Sequence, residues 1–117
     1  MKISIKANKL DITPAITQYI EEKMGSLDKF IKRFENNEDA KIMVEITRTT
    51  NHHQHGEVYY AEANLNINGV LIRAEKTDED IRAAIDKVKD TLKLEIEKYK
   101  DKKEIDKKIA GKRKLAE

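Results

Sequence analysis

The sequence predicts an α+β fold in which a four-stranded mixed sheet carries two helices on one face. Four segments alternate apolar and polar residues, which is typical of strands with one buried face. Two longer segments repeat apolar residues at helical spacing, so each has one apolar stripe. The order along the 117 residues is β-α-β-β-β-α. Both stripes are buried most economically if the two helices pack side by side on the same face of the sheet.

The first strand and the first helix occupy the N-terminal third of the chain. Residues 2–7 alternate, and Asn8-Lys9 ends the strand. Thr13 suits the N-cap position, and Pro14 suits the first helical position because its missing N–H costs nothing there. A helix between two neighbouring strands predicts a parallel pair with a right-handed crossover. The stripe of this helix consists of Ile16, Ile20, Met24, Leu27, Ile31 and Phe34.

Three more strands follow, and they are predicted to form antiparallel hairpins. Residues 40–47 and 59–67 alternate, and the polar stretch from 49 to 56 is predicted to be a loop. Asn68-Gly69 is the strongest hairpin signal in the chain, and it leads into a strand over residues 70–74. The outer face of the sheet is then expected to present Lys6, Lys41, Glu45, Tyr60, Glu62 and Asn64.

The second helix is predicted to begin at a Thr77-Asp78 cap and to end near residue 101. Its stripe consists of Ile81, Ile85, Val88, Leu92, Ile96 and Tyr99. Ile105 and Ile109 are out of phase with this stripe and cannot extend the core. We therefore expect a domain over 1–101 and a flexible basic tail over 102–117. Residues 99–117 carry eight Lys or Arg against four Asp or Glu.

Composition excludes several classes of function. The chain has no cysteine, so disulfides, thiol catalysis and Cys-based zinc sites are absent. No apolar run approaches the ~20 residues of a membrane span, and the N-terminus alternates rather than forming a signal peptide. No nucleophile elbow or phosphate-binding glycine loop occurs. We predict a cytoplasmic protein that is not an enzyme, with no cofactor, no small-molecule substrate and no membrane partner.

Three histidines fall in the predicted loop. His53 and His55 would share a face of an extended segment, but His52 and its neighbours offer no fourth ligand at an evident spacing. A polar loop explains them better than a metal site does, and we predict no metal.

A row of cations runs along the second helix. At 100° per residue, Arg82, Lys89, Lys93 and Lys100 fall in a narrow band beside the apolar stripe, with Asp86 close to it. Such a row is able to follow the phosphates of a nucleic acid. The alternative is a solvated helix flank with salt-bridge partners.

Five segments of the chain resemble the ribosome hibernation promoting factors and the related ribosome-associated inhibitor, the sigma-54 modulation protein family. They are residues 8–16 (NKLDITPAI), 26–30 (SLDKF), 68–75 (NGVLIRAE), 80–86 (DIRAAID) and 92–103 (LKLEIEKYKDKK). Their order and spacing cover residues 1 to about 103. Ser26 stands where the family often has Lys, and Arg82 where it has Tyr.

The resemblance implies the same β-α-β-β-β-α fold and a short form that ends before the separate C-terminal dimerisation domain of long members. It implies a protein, monomeric off the ribosome, that binds the 16S rRNA of the small subunit at the decoding centre. There it would occlude mRNA and the A- and P-site tRNAs, with charge providing affinity. The expected rRNA-binding residues are Lys23, Lys29, Arg82, Lys87, Lys89, Lys93 and Lys100, together with Lys112, Arg113 and Lys114 of the tail.

Two other functions stay open. Two helices on a small sheet also resemble a double-stranded-RNA-binding domain, which would act off the ribosome. A protein–protein adaptor would instead use the polar sheet face or Ile105 and Ile109.

Overall fold

Four strands form one mixed sheet in a computed structural model that describes residues 1–32, 40–50 and 57–116, with the backbone alone for 50, 57 and 112–116. The strands lie side by side in chain order, with β1 parallel to β2 and with β2, β3 and β4 antiparallel. The predicted α+β architecture is confirmed. The strands are β1 (Lys2–Asn8), β2 (Lys41–Thr50), β3 (Glu57–Ile67) and β4 (Val70–Asp78).

Local chemistry sets the predicted turns and the first cap. Helix α1 (Pro14–Lys32) begins at Pro14 as expected, and the backbone N–H of Ile16 donates to Oγ1 of Thr13 at 3.2 Å. In the β3–β4 hairpin, Asn68 and Gly69 have φ values of 52° and 77°. Positive φ at both central residues is the backbone that Asn-Gly favours and that matches the twist of the flanking strands.

Both helices pack against the same face of the sheet and share one core. Helix α2 (Ile81–Ala116) contacts β3, β4 and α1. The predicted stripes are the buried ones in both helices, except that Ile81 and Tyr99 are only partly buried. Phe34, the end of the first helical pattern, and the three histidines lie outside the described residues. The largest fully buried side chains are Ile20, Met24, Leu27, Ile31, Ile42, Val44, Ile46, Leu65, Ile67, Ile85, Leu92 and Ile96.

The predicted start of α2 is wrong by three residues. Thr77 and Asp78 continue β4, where they pair with Tyr60 and Tyr59. Asp80 is the N-cap instead: its Oδ1 accepts from the backbone N–H of Arg82 at 2.9 Å. The loop prediction is also too long, because β2 extends to Thr50 through pairing with β3. In both places the strand continues into a polar segment because the neighbouring strand pairs with it. The local pattern alone assigns these segments to a helix cap and to a loop.

The predicted end of α2 near residue 101 is also wrong. The helix has 36 residues, about 54 Å at 1.5 Å per residue, and gives the molecule a longest extent of 64 Å. Residues 102–110 contain no Pro or Gly that would end it. Ile105 and Ile109 are exposed, which confirms that they do not extend the core. The division at residue 101 and the flexibility of 102–117 stay predictions.

Candidate nucleic-acid interface

Two ridges of side chains, one on each helix, meet where α1 and α2 contact each other. The α1 ridge has Tyr19, Lys23, Ser26 and Phe30, and the α2 ridge has Arg82, Asp86, Lys89 and Lys93. Both ridges have the spacing i, i+4, i+7, i+11, which keeps residues on one helix face. We call these eight residues, together with Lys29, the helix seam. Because each ridge borders the buried stripe of its helix, packing of the two stripes brings the ridges together.

One end of the seam is organised around a carboxylate. The hydroxyl of Tyr19 donates to Oδ1 of Asp86 at 2.6 Å, and Nζ of Lys23 lies 3.4 Å from the same oxygen. The ring of Tyr19 also lies close to two cations, 5.3 Å from Nζ of Lys23 and 5.6 Å from the guanidinium carbon of Arg82. Such cation–π contacts hold charged groups beside an aromatic face without neutralising them.

The same carboxylate alters the acidity of its two neighbours. The hydrogen bond to Asp86 raises the pKa of the Tyr19 hydroxyl, and burial adds to the effect. The negative charge of Asp86 raises the pKa of the Lys23 ammonium. Both groups therefore keep their protons throughout the physiological range, and Lys23 is a permanent cation at this end of the seam.

The other end of the seam is a cup with basic walls. It has a volume of about 240 Å³ and is lined by Ser26, Leu27, Lys29, Phe30, Lys89 and Lys93. Nζ of Lys93 lies 5.7 Å from the centre of the Phe30 ring. Among the described residues that line the cup, none is acidic. We call this concavity the cup.

The structure brings together five of the ten predicted site residues. Lys23, Lys29, Arg82, Lys89 and Lys93 lie in the seam. Lys100 follows two turns along α2 from Lys93, and Lys87 lies apart, where its ammonium pairs with Asp78 at the end of β4. Lys112, Arg113 and Lys114 belong to the distal end of α2, where the structure describes the backbone alone.

Sequence reasoning missed the parts played by the uncharged seam residues. Tyr19 and Phe30 follow the phase of Lys23 and Ser26 at helical spacing, and this spacing is the signal that identifies them as seam residues. The sequence places Asp86 only close to the basic row, whereas the structure shows its carboxylate in contact with Tyr19 and Lys23. That role depends on the relative position of two helices, which periodicity within either helix does not contain.

The outer face of the sheet carries a different kind of cluster. The guanidinium of Arg73 pairs with Glu62 at 3.2 Å and with Glu75 at 2.9 Å. The hydroxyl of Tyr60 lies 3.0 Å from Oε2 of Glu62 and 2.5 Å from Oε2 of Glu75. Burial and then the hydrogen bond to Glu75 raise the pKa of Tyr60 to about 12. In this cluster, the single cation Arg73 is matched by two carboxylates.

Within the described ranges, no three metal-ligating side chains are grouped closely enough to hold a metal ion. Likewise, none of the helices in the described part of the chain is long and apolar enough to cross a membrane.

Comparison with known families gives one match that spans most of the chain. The model of the family described as Sigma 54 modulation protein / S30EA ribosomal protein matches residues 3–104. The match includes the sheet, α1 and the part of α2 that contributes to the core and the seam.

Individual proteins and structures agree with this match. The chain is 30% identical to a ribosome hibernation promotion factor of Deinococcus radiodurans over 96 residues, 82% of this chain and 47% of that one. It is also 30% identical to a ribosome hibernation promoting factor of Klebsiella oxytoca over 102 residues, 87% of this chain and 96% of the other. The chain thus spans about half the length of the first relative and nearly all of the second.

Solved structures share the fold. The crystal structure of the Thermus thermophilus Protein Y N-terminal domain has a TM-score of 0.64 and 29% identity, covering 85% of this chain and 99% of that one. A ribosomal subunit interface protein from Coxiella burnetii has a TM-score of 0.60 at 24% identity, covering 86% and 99%.

Proposed function

Because the chain belongs to the Sigma 54 modulation protein / S30EA ribosomal protein family, we propose that it binds the small ribosomal subunit and silences translation. It does so at the decoding centre, where it occludes mRNA and the A- and P-site tRNAs. The protein acts in the cytoplasm, without catalysis and without a cofactor, and it is a monomer when off the ribosome.

The observation that carries the proposal is the convergence of cations in the helix seam. Arg82, Lys89 and Lys93 from α2 meet Lys23 and Lys29 from α1 on one surface. Lysine and arginine grouped in this way neutralise RNA phosphates and release their counterions, which supplies most of the affinity of such interfaces. The names of the relatives, ribosome hibernation promotion factors, support the ribosome as the partner.

Steric occlusion is the mechanism that suits this architecture. The seam lies on helices held by a shared core, so the backbone that carries the cations does not have to be ordered on binding. Helix α2 extends about 35 Å beyond Lys93, at 1.5 Å per residue, and carries Lys112, Arg113 and Lys114 at its distal end. We propose that this basic end contacts rRNA next to the seam and adds to the blocked volume.

Co-sedimentation of the purified protein with small ribosomal subunits, at a series of salt concentrations, tests the proposal. We expect binding that weakens steeply with salt, because several phosphate contacts are lost together. mRNA and tRNA bound to the same subunits should displace the protein. A fixed concentration of large subunits serves as the control for nonspecific association with rRNA.

The other two functions give different results in the same assay. A double-stranded-RNA-binding module would bind free RNA duplexes as tightly as subunits, and mRNA and tRNA would not displace it. A protein–protein adaptor would show little dependence on salt. Subunit binding that survives saturating mRNA and tRNA would refute occlusion at the decoding centre.

A further inference from the structure

The outer face of the sheet, away from the helices, is divided into two unlike halves. The strand register aligns its side chains in rows that run across the four strands, and Glu45, Glu62 and Glu75 share one row. The two rows nearer the start of β1 contain no acidic residue. They are Lys2, Lys41, Asn66 and Leu71, and then Ser4, Met43, Asn64 and Arg73.

The half without carboxylates contains a shallow hollow of about 450 Å³. Its lining includes Lys2, Lys41, Met43, Asn64, Asn66 and Leu71, and we call it the sheet hollow. The side chains of Met43 and Leu71 are 52% and 63% exposed, so covering them would remove apolar surface from water. None of the described residues that line the hollow is acidic or aromatic. The hollow therefore has apolar surface beside a cationic edge.

The cationic edge of the hollow lacks counter-charges. The register places Lys2 directly opposite Lys41 on the neighbouring strand, and like charges in such positions destabilise a sheet. Neither lysine forms an ion pair with a residue that the structure describes. A carboxylate placed between the two ammonium groups would relieve their repulsion and accept a charge-assisted hydrogen bond from each.

Two asparagines in the hollow have unused hydrogen-bonding groups. The side-chain oxygen of Asn66 accepts from the backbone N–H of Gly69 at 3.2 Å, and Nδ2 of Asn64 donates to Glu62 at 2.9 Å. This leaves Nδ2 of Asn66 and Oδ1 of Asn64 without a partner among the described residues. One donor and one acceptor on the same face of β3 are what the C=O and N–H of a polypeptide backbone require.

We propose that the sheet hollow docks an acidic, amphipathic segment of a partner protein. Its carboxylates bind between Lys2 and Lys41, its backbone hydrogen-bonds to Asn64 and Asn66, and its apolar side chains cover Met43 and Leu71. The helices pack on the other face of the sheet, so the hollow and the helix seam can be occupied together. This inference goes beyond the proposed function and does not depend on it.

RNA fits the hollow less well than a protein segment does. Sheets that bind single-stranded RNA stack its bases on aromatic rings, and the described lining of the hollow has none. The adjoining row of Glu45, Glu62 and Glu75 would also repel phosphates.

Titration of the full-length protein with a capped peptide, Glu-Ser-Glu-Ser-Leu-Ser-Leu, followed by amide chemical shifts, tests the proposal. In an extended peptide both Glu and both Leu side chains point to one face. We expect saturable shifts centred on residues 2–4, 41–43, 64–66 and 71. Lys2→Gln/Lys41→Gln should weaken binding about tenfold, because the charge-assisted contacts are lost. A peptide with Ser in place of both Leu should also bind the parent about tenfold more weakly.

Two control variants separate the hollow from general attraction between charges. Lys98→Gln/Lys102→Gln removes two exposed cations of α2 and should change peptide affinity less than about twofold. Arg82→Gln/Lys89→Gln/Lys93→Gln, in the seam, should leave it within about threefold. Equal weakening by the hollow variant and the α2 variant, or a loss of peptide binding in the seam variant alone, would overturn the proposal.

Other occupants give other results. A short single-stranded RNA that shifts the hollow residues, where the peptide does not, would replace the protein partner with RNA and overturn the proposal. Concentration-dependent shifts of these residues without peptide, with a dimer mass by light scattering, would identify a second copy of the chain instead. In the sedimentation assay Lys2→Gln/Lys41→Gln should bind small subunits as the parent does. A parent that binds the peptide but not subunits would refute the proposed function alone, and the reverse would refute this inference alone.

Discussion

The helix seam and the Arg73 cluster on the outer face of the sheet differ in how their cations are matched by carboxylates. On the sheet, Arg73 pairs with both Glu62 and Glu75. The side chains that define the seam include five cations and one carboxylate, Asp86, which pairs with Lys23. A net charge of +2 hides this contrast. The position of positive potential therefore depends on where counter-charges are absent, and not on the total charge.

The difference arises from the geometry of each element. On the sheet, the register places Arg73 diagonally across from Glu62 and two residues before Glu75 on the same face of β4, so its guanidinium reaches both carboxylates. On the helices, the same i, i+4, i+7, i+11 spacing in both ridges places cations beside aromatic rings instead. A ring holds a cation and leaves its charge available to a ligand.

The largest effect is expected from neutralising the seam. The Arg82→Gln/Lys89→Gln/Lys93→Gln variant removes three cations that face the proposed ligand. We expect it to bind small subunits about a hundredfold more weakly at moderate salt, with a shallower salt dependence, because about three phosphate contacts are lost. The measurement is the dissociation constant from co-sedimentation at several salt concentrations.

The matched control neutralises three exposed lysines of the sheet face, Lys2, Lys6 and Lys41. The net charge falls by the same three units, so any general attraction to rRNA is reduced equally. We expect affinity within about threefold of the parent. Comparable losses in the two triple variants would show that the seam is not the interface, and circular dichroism confirms that both variants are folded.

The sequence predicts the elements of the fold better than it predicts the contacts between the two helices of the seam. Periodicity identifies the four strands, both stripes, the Thr13 cap and the Asn68-Gly69 turn, because each depends on residues close together in the chain. It also places Arg82, Lys89 and Lys93 in one row. It does not reveal that Phe30 supports Lys93, because that contact joins residues 63 positions apart on two helices.

The errors at the ends of elements have a related cause. β4 includes Thr77 and Asp78 because β3 provides partners for them, and no local signal reports a partner. α2 continues past residue 101 because nothing in 102–110 stops it, whereas the prediction ended it where the apolar stripe ended. A stripe indicates where a helix is buried, and it does not indicate where the helix ends.

A smaller effect is expected from removing the carboxylate of the seam. Asp86→Asn keeps an acceptor for the Tyr19 hydroxyl but removes the charge that pairs with Lys23. We expect small subunits to bind about threefold more tightly, because Lys23 no longer has to exchange a carboxylate for a phosphate. The pKa of Lys23 should fall towards its usual value, since Asp86 is what raises it.

Asp101→Asn is the matched control, since Asp101 is an exposed residue of the same helix and the change in charge is identical. Its effect on affinity should be smaller than that of Asp86→Asn. Weaker binding by Asp86→Asn would mean that the carboxylate positions Lys23 and Tyr19 for RNA instead of competing with it. Affinities from co-sedimentation and the NMR titration of Lys23 distinguish the two roles.

The smallest effect on binding is expected on the sheet face, where Tyr60→Phe should leave subunit affinity unchanged but alter stability at high pH. The folded protein holds the pKa of Tyr60 at about 12, above the usual value of 10.0 for an exposed tyrosine. The proton is bound more tightly in the folded state, so the stabilisation is fully present below pH 10 and is lost as pH rises through about 12.

Phenylalanine has no such proton. The free energy of unfolding of the parent, relative to Tyr60→Phe, should therefore decrease between these two pH values in denaturant titrations. A constant difference would mean that Tyr60 is not held protonated by its surroundings. The contrast between the self-paired Arg73 cluster and the open seam would then lose its support on the sheet side.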